Sequence, residues 1–326
     1  MPSFQKCKNI VEAIKCIEPN HILTQCLERD GVAVNYQRND AMFMPDGRII
    51  FLCNTGNFNF YRGEWRVYDS CKSSLYRIKD RDERICALAK TYEFMEYLKT
   101  LPEVQQYLDN NIWYAPWAIA QHYEFATPMI DLTNEISVAA FFATHRYDKV
   151  TKQYYIVREG VGRIRWNTIL PLFPASESLK PIGVQPFSRP SNQLGYGYWI
   201  DESKDYADES NIIEFEQDYE VNYRLATATA GADNKYFPDE RIVRMANIIR
   251  NENVVTNKAI DAFVDDENDY INPKVSREEI VSTLEKRGIF IVDAPVTCHE
   301  SFVNVGNPFV LPRRLVRKPV YMGQKL

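Results

Sequence analysis

The sequence predicts a mixed α+β fold: a strand-rich core interrupted by helices, followed by a mainly helical C-terminal part. Three observations predict it. Twenty Tyr and seventeen Phe against thirteen Gly in 326 residues favour strands packed through aromatic side chains. Short apolar runs bounded by turn residues recur over residues 40–220, as strands do. Apolar residues at helical spacing interrupt those runs and prevail after residue 205.

Each element follows from its local pattern. Residues 7–28 read as a helix, with Ile10, Val11, Ala13, Ile14 and Ile17 at helical spacing and a break at Pro19. Met42–Met44 and Ile49–Leu52 read as a hairpin turning at Pro45-Asp46-Gly47. Phe58–Tyr61 is a further strand, ending in Arg62-Gly63. Ile85, Leu88, Ala89, Tyr92, Met95 and Leu98 mark a helix over 83–99, with others over 102–108 and up to Gln121. Glu135–Thr144 is apolar on nearly every side, which predicts a buried helix. Gln153–Val157 reads as a strand, and 160–190, rich in Pro and Gly, as loop with short strands. Tyr196–Ile200 and Ile212–Phe215 are strands. Pro238 can open a helix, and Ser276-Arg277-Glu278-Glu279 is a capping box with a stop at Gly288. The acidic run Asp265–Asp269 reads as a solvated loop.

These elements divide into an N-terminal helical segment (1–40), an α+β core (41–220) and a C-terminal, mainly helical extension packed on it (221–326). The net charge of −5 argues against a broad nucleic-acid or membrane footprint. No apolar stretch reaches the roughly 18 residues of a membrane span, and no signal peptide is expected. Seven scattered cysteines without a CxxC pair fit reduced thiols and a cytoplasmic protein. The histidines at 21, 122, 145 and 299 lack ligand-like spacing, so no metal is implied.

Three clusters can carry chemistry. In Tyr61-Arg62-Gly63-Glu64, a strand-end arginine suits a phosphate or carboxylate, and Gly63 lets a ligand approach the backbone. The plain alternative is a surface arginine paired with a nearby acid. Gln121-His122 and Asp131-x-Thr133 set polar groups directly against the apolar 135–144 helix. They form either a cleft with Arg62 or a buried hydrogen-bond network in which Asp131, Thr133 or Asn134 caps that helix. Arg189 to Gly195 can present the Gln193 amide to a ligand or make an ordinary turn. Glu214 and Glu216 share a strand face, either in solvent or at a site.

Taken in order, Tyr61-Arg62-Gly63, Gln121-His122, Asp131-x-Thr133 and Ala139-x-x-Phe142-Ala143 resemble the FRG domain. That family is named for its (F/Y)RG motif and carries a QHxGxPTRLLDWT-like block followed by an AxxFA helix. Arg189, Gln193 and Gly195 are similar to its later RxxxQxG element. The resemblance covers residues 55–200, with weaker similarity to 290. Glu124 stands where the family has Gly, Ala126 where it has Pro, Pro128 where it often has Arg, and Leu132 where it has Trp. An anion-binding role at position 128 is therefore not carried over.

The family has no settled activity. A more distant likeness joins the same residues to ADP-ribosyltransferases of the arginine–serine–glutamate type, which implies a related core and NAD as co-substrate, with no resident cofactor firmly implied. In that likeness Arg62 holds the pyrophosphate of NAD, Thr133 orients the nicotinamide ribose, and Glu216 or Gln193 is the late third residue. A late Glu would stabilise charge developing on the ribose, whereas Gln193 in that role would leave transfer weak. The candidate site is thus Arg62, Gly63, Gln121, His122 and Asp131 for binding, with Thr133, Gln193 and Glu216 as catalytic residues. The acceptor, protein or nucleic acid, is not identified. The rival reading is a non-catalytic module recognising a nucleotide, RNA or protein, with the polar cluster structural.

Overall fold

The computed structural model describes residues 3–21, 23–24, 39–43, 47–53, 58–148, 151, 153–168, 178–229, 236–238, 240–266, 270–272, 274–293 and 320–321. The strands are β1 (Phe4–Cys7), β2 (Asn39–Phe43), β3 (Ile49–Cys53), β4 (Asn59–Glu64), β5 (Met129–Thr133), β6 (His145–Asp148) and β7 (Gln153–Ile156). After them come β8 (Val161–Thr168), β9 (Leu179–Pro181), β10 (Gly195–Trp199), β11 (Asn211–Glu216), β12 (Val254–Thr256), β13 (Phe290–Val292) and β14 (Val320–Tyr321). The helices are α1 (Ile10–Ile17), α2 (Arg81–Leu98), α3 (Pro102–Asp109), α4 (Pro116–His122) and α5 (Ile136–Thr144). Then follow α6 (Ser188–Asn192), α7 (Tyr219–Thr229), α8 (Arg241–Asn251), α9 (Asn257–Asp265) and α10 (Arg277–Lys286). The fold is mixed α+β. None of these helices is long and apolar enough to cross a membrane.

One seven-stranded sheet carries the architecture, in the order β1-β11-β8-β4-β5-β10-β9. β1 and β11 run parallel and the other neighbours antiparallel. β1 thus adds a strand from the first seven residues to the sheet of the expected core. The β4–β5 pairing is a single residue pair, Tyr61 with Thr133. Among the described residues no further ladder pair joins β4 to β5, so the ladder is interrupted there.

Each face of this sheet has its own apolar core. Phe60 joins one with residues of α2, α4, α8, α9 and α10. Its neighbour Tyr61 points the other way and joins Ile10, Ile14, Ile136, Ala139, Ile164 and Leu225, as the two-residue period of a strand requires. α5 is buried at every position except Phe142. It lies across β4 at backbone contact: a Cβ added to Gly63 would sit 1.8 Å from the Ala139 carbonyl oxygen. Gly63 therefore makes room for a helix, where the sequence reading gave that space to a ligand.

The local patterns hold for the hairpin β2–β3, for α2 to α5, and for β4, β7, β10 and β11. Residues 44–46 of the expected turn, 25–28 of the expected first helix and 267–269 of the acidic run lie outside the described residues. Ser276 caps α10 by accepting from the Glu279 amide at 3.2 Å, and Gly288 closes it with φ +70°. The reading of 160–190 as loop with short strands holds for β9 but understates β8, an eight-residue strand inside the sheet. β8 buries Arg163 and Arg165 on one face, so polar residues occupy positions where strand recognition looks for apolar ones.

Candidate functional site

Where β4 and β5 part, side chains replace the missing ladder. Arg62 Nη1 donates to the Asp131 carbonyl at 3.1 Å, and Arg62 Nε lies 3.8 Å from Glu64 Oε1. Glu64 is buried and accepts from Arg165 Nε at 3.1 Å on both oxygens. Arg163 lies 3.8 Å from Glu64 and holds Glu214 at 2.6 Å. Three guanidiniums thus share two carboxylates, and Arg62 is the one of the three that lines the cleft beyond. Burial works against the Arg62 charge, but the fields of Cys71, Glu64 and Asp131 prevail and raise its pKa.

The opening continues into a cleft of about 970 Å³. Arg62, Gly63, Gln121, His122, Asp131, Thr133 and Gln193 all line it. The fold brings together residues separated by as many as 131 positions in the chain. Glu216 does not line it. It is the exposed last residue of β11, with β8 between that strand and β4.

The lining residues differ in how much bonding capacity they keep. The Gln121 amide is committed inside the protein. Its oxygen accepts from Ser74 at 3.3 Å and, at closer range, from the Thr127 hydroxyl, while Nε2 donates to Asp131 Oδ2 at 3.3 Å. Thr133 Oγ1 accepts from the Glu135 amide at 3.2 Å, at the entry to α5. Gln193 Nε2 donates to the Tyr236 carbonyl at 2.9 Å. In contrast, Arg62 Nε, Asp131 Oδ1, His122 Nε2 and Arg189 Nε are buried without a hydrogen-bond partner among the described residues. Unmet buried polar atoms are costly, and here four converge on one cleft. His122 ends α4, and burial lowers its pKa, against the opposing pull of Asp131. The neutral ring lies so close to β10 that a Cβ on Gly195 would stand 3.1 Å from Nε2.

The cleft also contains residues that sequence reasoning did not select. Arg77 and Arg250 join Arg62 and Arg189 on its walls, against the two carboxylates Glu124 and Asp131. Desolvation, and next the charge of Arg62, pull the Arg77 pKa down. Arg189 donates to the His122 carbonyl at 2.9 Å and stacks on Tyr123 and Phe237, with its guanidinium carbon 4.9 and 5.1 Å from the ring centres. Phe142, Tyr147, Tyr154 and Phe237 build an aromatic wall, with Tyr154 stacked on Phe237 at 4.1 Å. Tyr154 lies in the strand expected over 153–157, whereas its cross-strand partner Tyr147 sits in β6, a strand the sequence reading did not include. Arg77 and Arg250 carried no local signal.

Glu124 occupies the left-handed region at φ +70°. The family has Gly at this position, and Gly adopts such a backbone without steric cost. Glu124 adopts it while pairing with Arg250 at 2.7 Å across the cleft.

The site thus belongs to an α+β protein with a cationic, aromatic-walled cleft at a break in its sheet. The family model of the FRG domain matches residues 57–152, so the resemblance drawn from the motifs is shown over that stretch. The match takes in Arg62, Gln121, His122, Asp131 and Thr133 and stops before Arg189, Gln193 and Glu216. No curated protein matches the chain, and no solved structure matches it.

Proposed function

We propose that the cleft binds a nucleotide carrying a diphosphate, with NAD as the first ligand to test. The observation that carries this reading is the meeting of four arginines with an aromatic wall in one cleft of a chain whose net charge is −5. Guanidiniums bind phosphate oxygens in pairs, and ring faces bind a base by stacking. Arg62, held by Asp131 and Glu64, is the preorganised phosphate ligand. Arg77 and Arg250 extend it along the cleft.

ADP-ribose transfer is the activity this binding would serve. Breaking the bond from nicotinamide to ribose develops positive charge on the ribose, which a carboxylate stabilises. Asp131 lines the cleft with one oxygen unmet, so the reading gives that role to Asp131 in preference to the exposed Glu216. Gln193, which also lines the cleft, would orient the nicotinamide side. For Gln121 and Thr133 the structural alternative is favoured, because their side chains bond within the protein.

Calorimetry with NAD and with ADP-ribose, with nicotinamide release followed in parallel, tests the reading. Binding should weaken at least tenfold, about 1.4 kcal/mol, in Arg62→Ala and in Arg77→Ala, with melting temperatures showing that both variants are folded. Release should be lost in Asp131→Asn and kept in Glu216→Gln. Unchanged affinity in folded Arg62→Ala and Arg77→Ala would remove the phosphate assignment. Binding without release would leave a recognition module.

A further inference from the structure

On the far side of the sheet from α2, two cysteines face each other. Cys7 is the last residue of β1, and Cys16 lies in the final turn of α1. Their sulfur atoms are 3.8 Å apart. A disulfide needs about 2.0 Å, a gap that modest side-chain rotation at the exposed end of α1 can close. The two thiols differ in setting: Cys7 is buried and Cys16 exposed. Gln5 Nε2 donates to the Cys16 sulfur at 3.1 Å. Neither Cys71 nor Cys86 shows a comparable sulfur neighbour among the described residues.

We propose that Cys7 and Cys16 form an oxidant-sensitive dithiol site that closes to a reversible disulfide on exposure to a peroxide. Cys16 is the attacking residue. Its thiolate attacks one peroxide oxygen, the S–O bond forms as the O–O bond breaks, and hydroxide leaves to give a sulfenic acid. Cys7 sulfur then attacks Cys16 sulfur. The S–S bond forms, the S–O bond breaks, and a second hydroxide leaves. Two thiols lose two electrons, and the peroxide gains them to become two waters with the two thiol protons.

The asymmetry fixes the order. Burial, and then the hydrogen bond and charge of Cys16, push the Cys7 thiol up to about 12, so Cys7 does not react first. Oxidation of Cys16 to the neutral sulfenic acid removes the charge of Cys16 from those causes, while burial, the largest, and the charge of Glu12 remain. The bond would tie β1, the edge strand, to α1. That helix packs on α5, and Tyr61 of the cleft donates to Glu18 just beyond its last turn.

The test uses the full chain, treated with hydrogen peroxide, blocked with an alkylating reagent in denaturant and mapped by mass spectrometry. The expected product is a Cys7–Cys16 cross-linked peptide, lighter by two hydrogen atoms and abolished by dithiothreitol. Cys16→Ser should eliminate it. A melting temperature that rises on oxidation and returns on reduction in wild type, but not in Cys16→Ser, would support the site independently. The proposal is overturned if Cys16 proceeds to sulfinic acid with Cys7 still alkylatable, or if Cys16 pairs with another cysteine.

Discussion

Gly63→Ala should be the most damaging single methyl addition in the region that carries the motifs. Its Cβ would fall 1.8 Å from Ala139 O and 2.7 Å from Ala143 N. Those two atoms stand four residues apart in α5 and are donor and acceptor of one helical hydrogen bond. Ordinary contact begins near 3.4 Å, so the helix must retreat by about 1.5 Å or lose that bond. Overpacking costs about 1–3 kcal/mol, and a broken hydrogen bond adds about 1 kcal/mol. Because both obstructing atoms are backbone, the expected loss is about 3 kcal/mol or more. Urea unfolding should show it as a lower midpoint at an unchanged slope. Gly197→Ala is the control: its Cβ meets Met129 Cε at 1.7 Å, the end of a flexible side chain that can turn away. A loss below about 1 kcal/mol for Gly63→Ala, or one no larger than for Gly197→Ala, would refute the packing argument.

Glu64→Ala should cost about 3–5 kcal/mol, because it leaves Arg165, 1% exposed, buried without its carboxylate; Glu64→Ala melting close to wild type would refute that account. Glu124→Gly should melt at or above the wild-type temperature, since relief of the φ +70° backbone offsets the loss of a partly exposed ion pair worth about 0–1 kcal/mol. Glu124→Val should melt well below both, as a β-branched residue is strained there. Two histidines should give opposite pH slopes. At His21 burial opposes the charge, but the hydrogen bond and charge of Glu135 outweigh it and raise the pKa above 6.5. Its stabilisation is complete below about pH 6.5 and disappears as pH rises through the folded value, a slope that His21→Gln should remove from the melting profile. His145, lowered by burial to about 4, should destabilise the fold as pH falls from about 6.5 towards that value, with a melting profile that His145→Phe flattens.

The sequence was most legible where side-chain period and structure agree. α2 to α5 and the strands β4, β10 and β11 announce themselves by spacing, and the polar block from Gln121 to Thr133 announces itself by crowding next to an apolar helix. β8 is the instructive miss. Its inward residues include Arg163 and Arg165, whose charges are compensated by Glu64 and Glu214 on two other strands, with further hydrogen bonds to the Tyr68 carbonyl and the Ser210 hydroxyl. No local pattern can reveal an ion pair whose partners are 101 and 51 residues away. Arg77 and Arg250 were hidden for the same reason: they become cleft residues only when their elements pack around β4 and β5. Glu216 illustrates the converse. Its spacing from Glu214 marked a shared strand face, but the sheet order that separates it from the cleft is not written in that spacing.

The motifs that seemed independent along the chain are one physical unit. Tyr61 pairs with Thr133, Arg62 bonds the Asp131 carbonyl, and Gly63 admits Ala139 and Ala143 of α5. Three successive residues of β4 therefore specify, in turn, where the sheet holds, where it opens and how near the helix may come. Each depends on the others. This explains why the motifs occur together, in order, without requiring every member to touch a ligand. Gly63, Gln121 and Thr133 have their atoms committed to that scaffold. The residues with capacity to spare are Arg62, His122, Asp131 and Arg189. Substitution of the first group should change stability and affinity together, whereas conservative substitution of the second, which keeps the bonds to the Asp131 and His122 carbonyls, should change affinity more than stability.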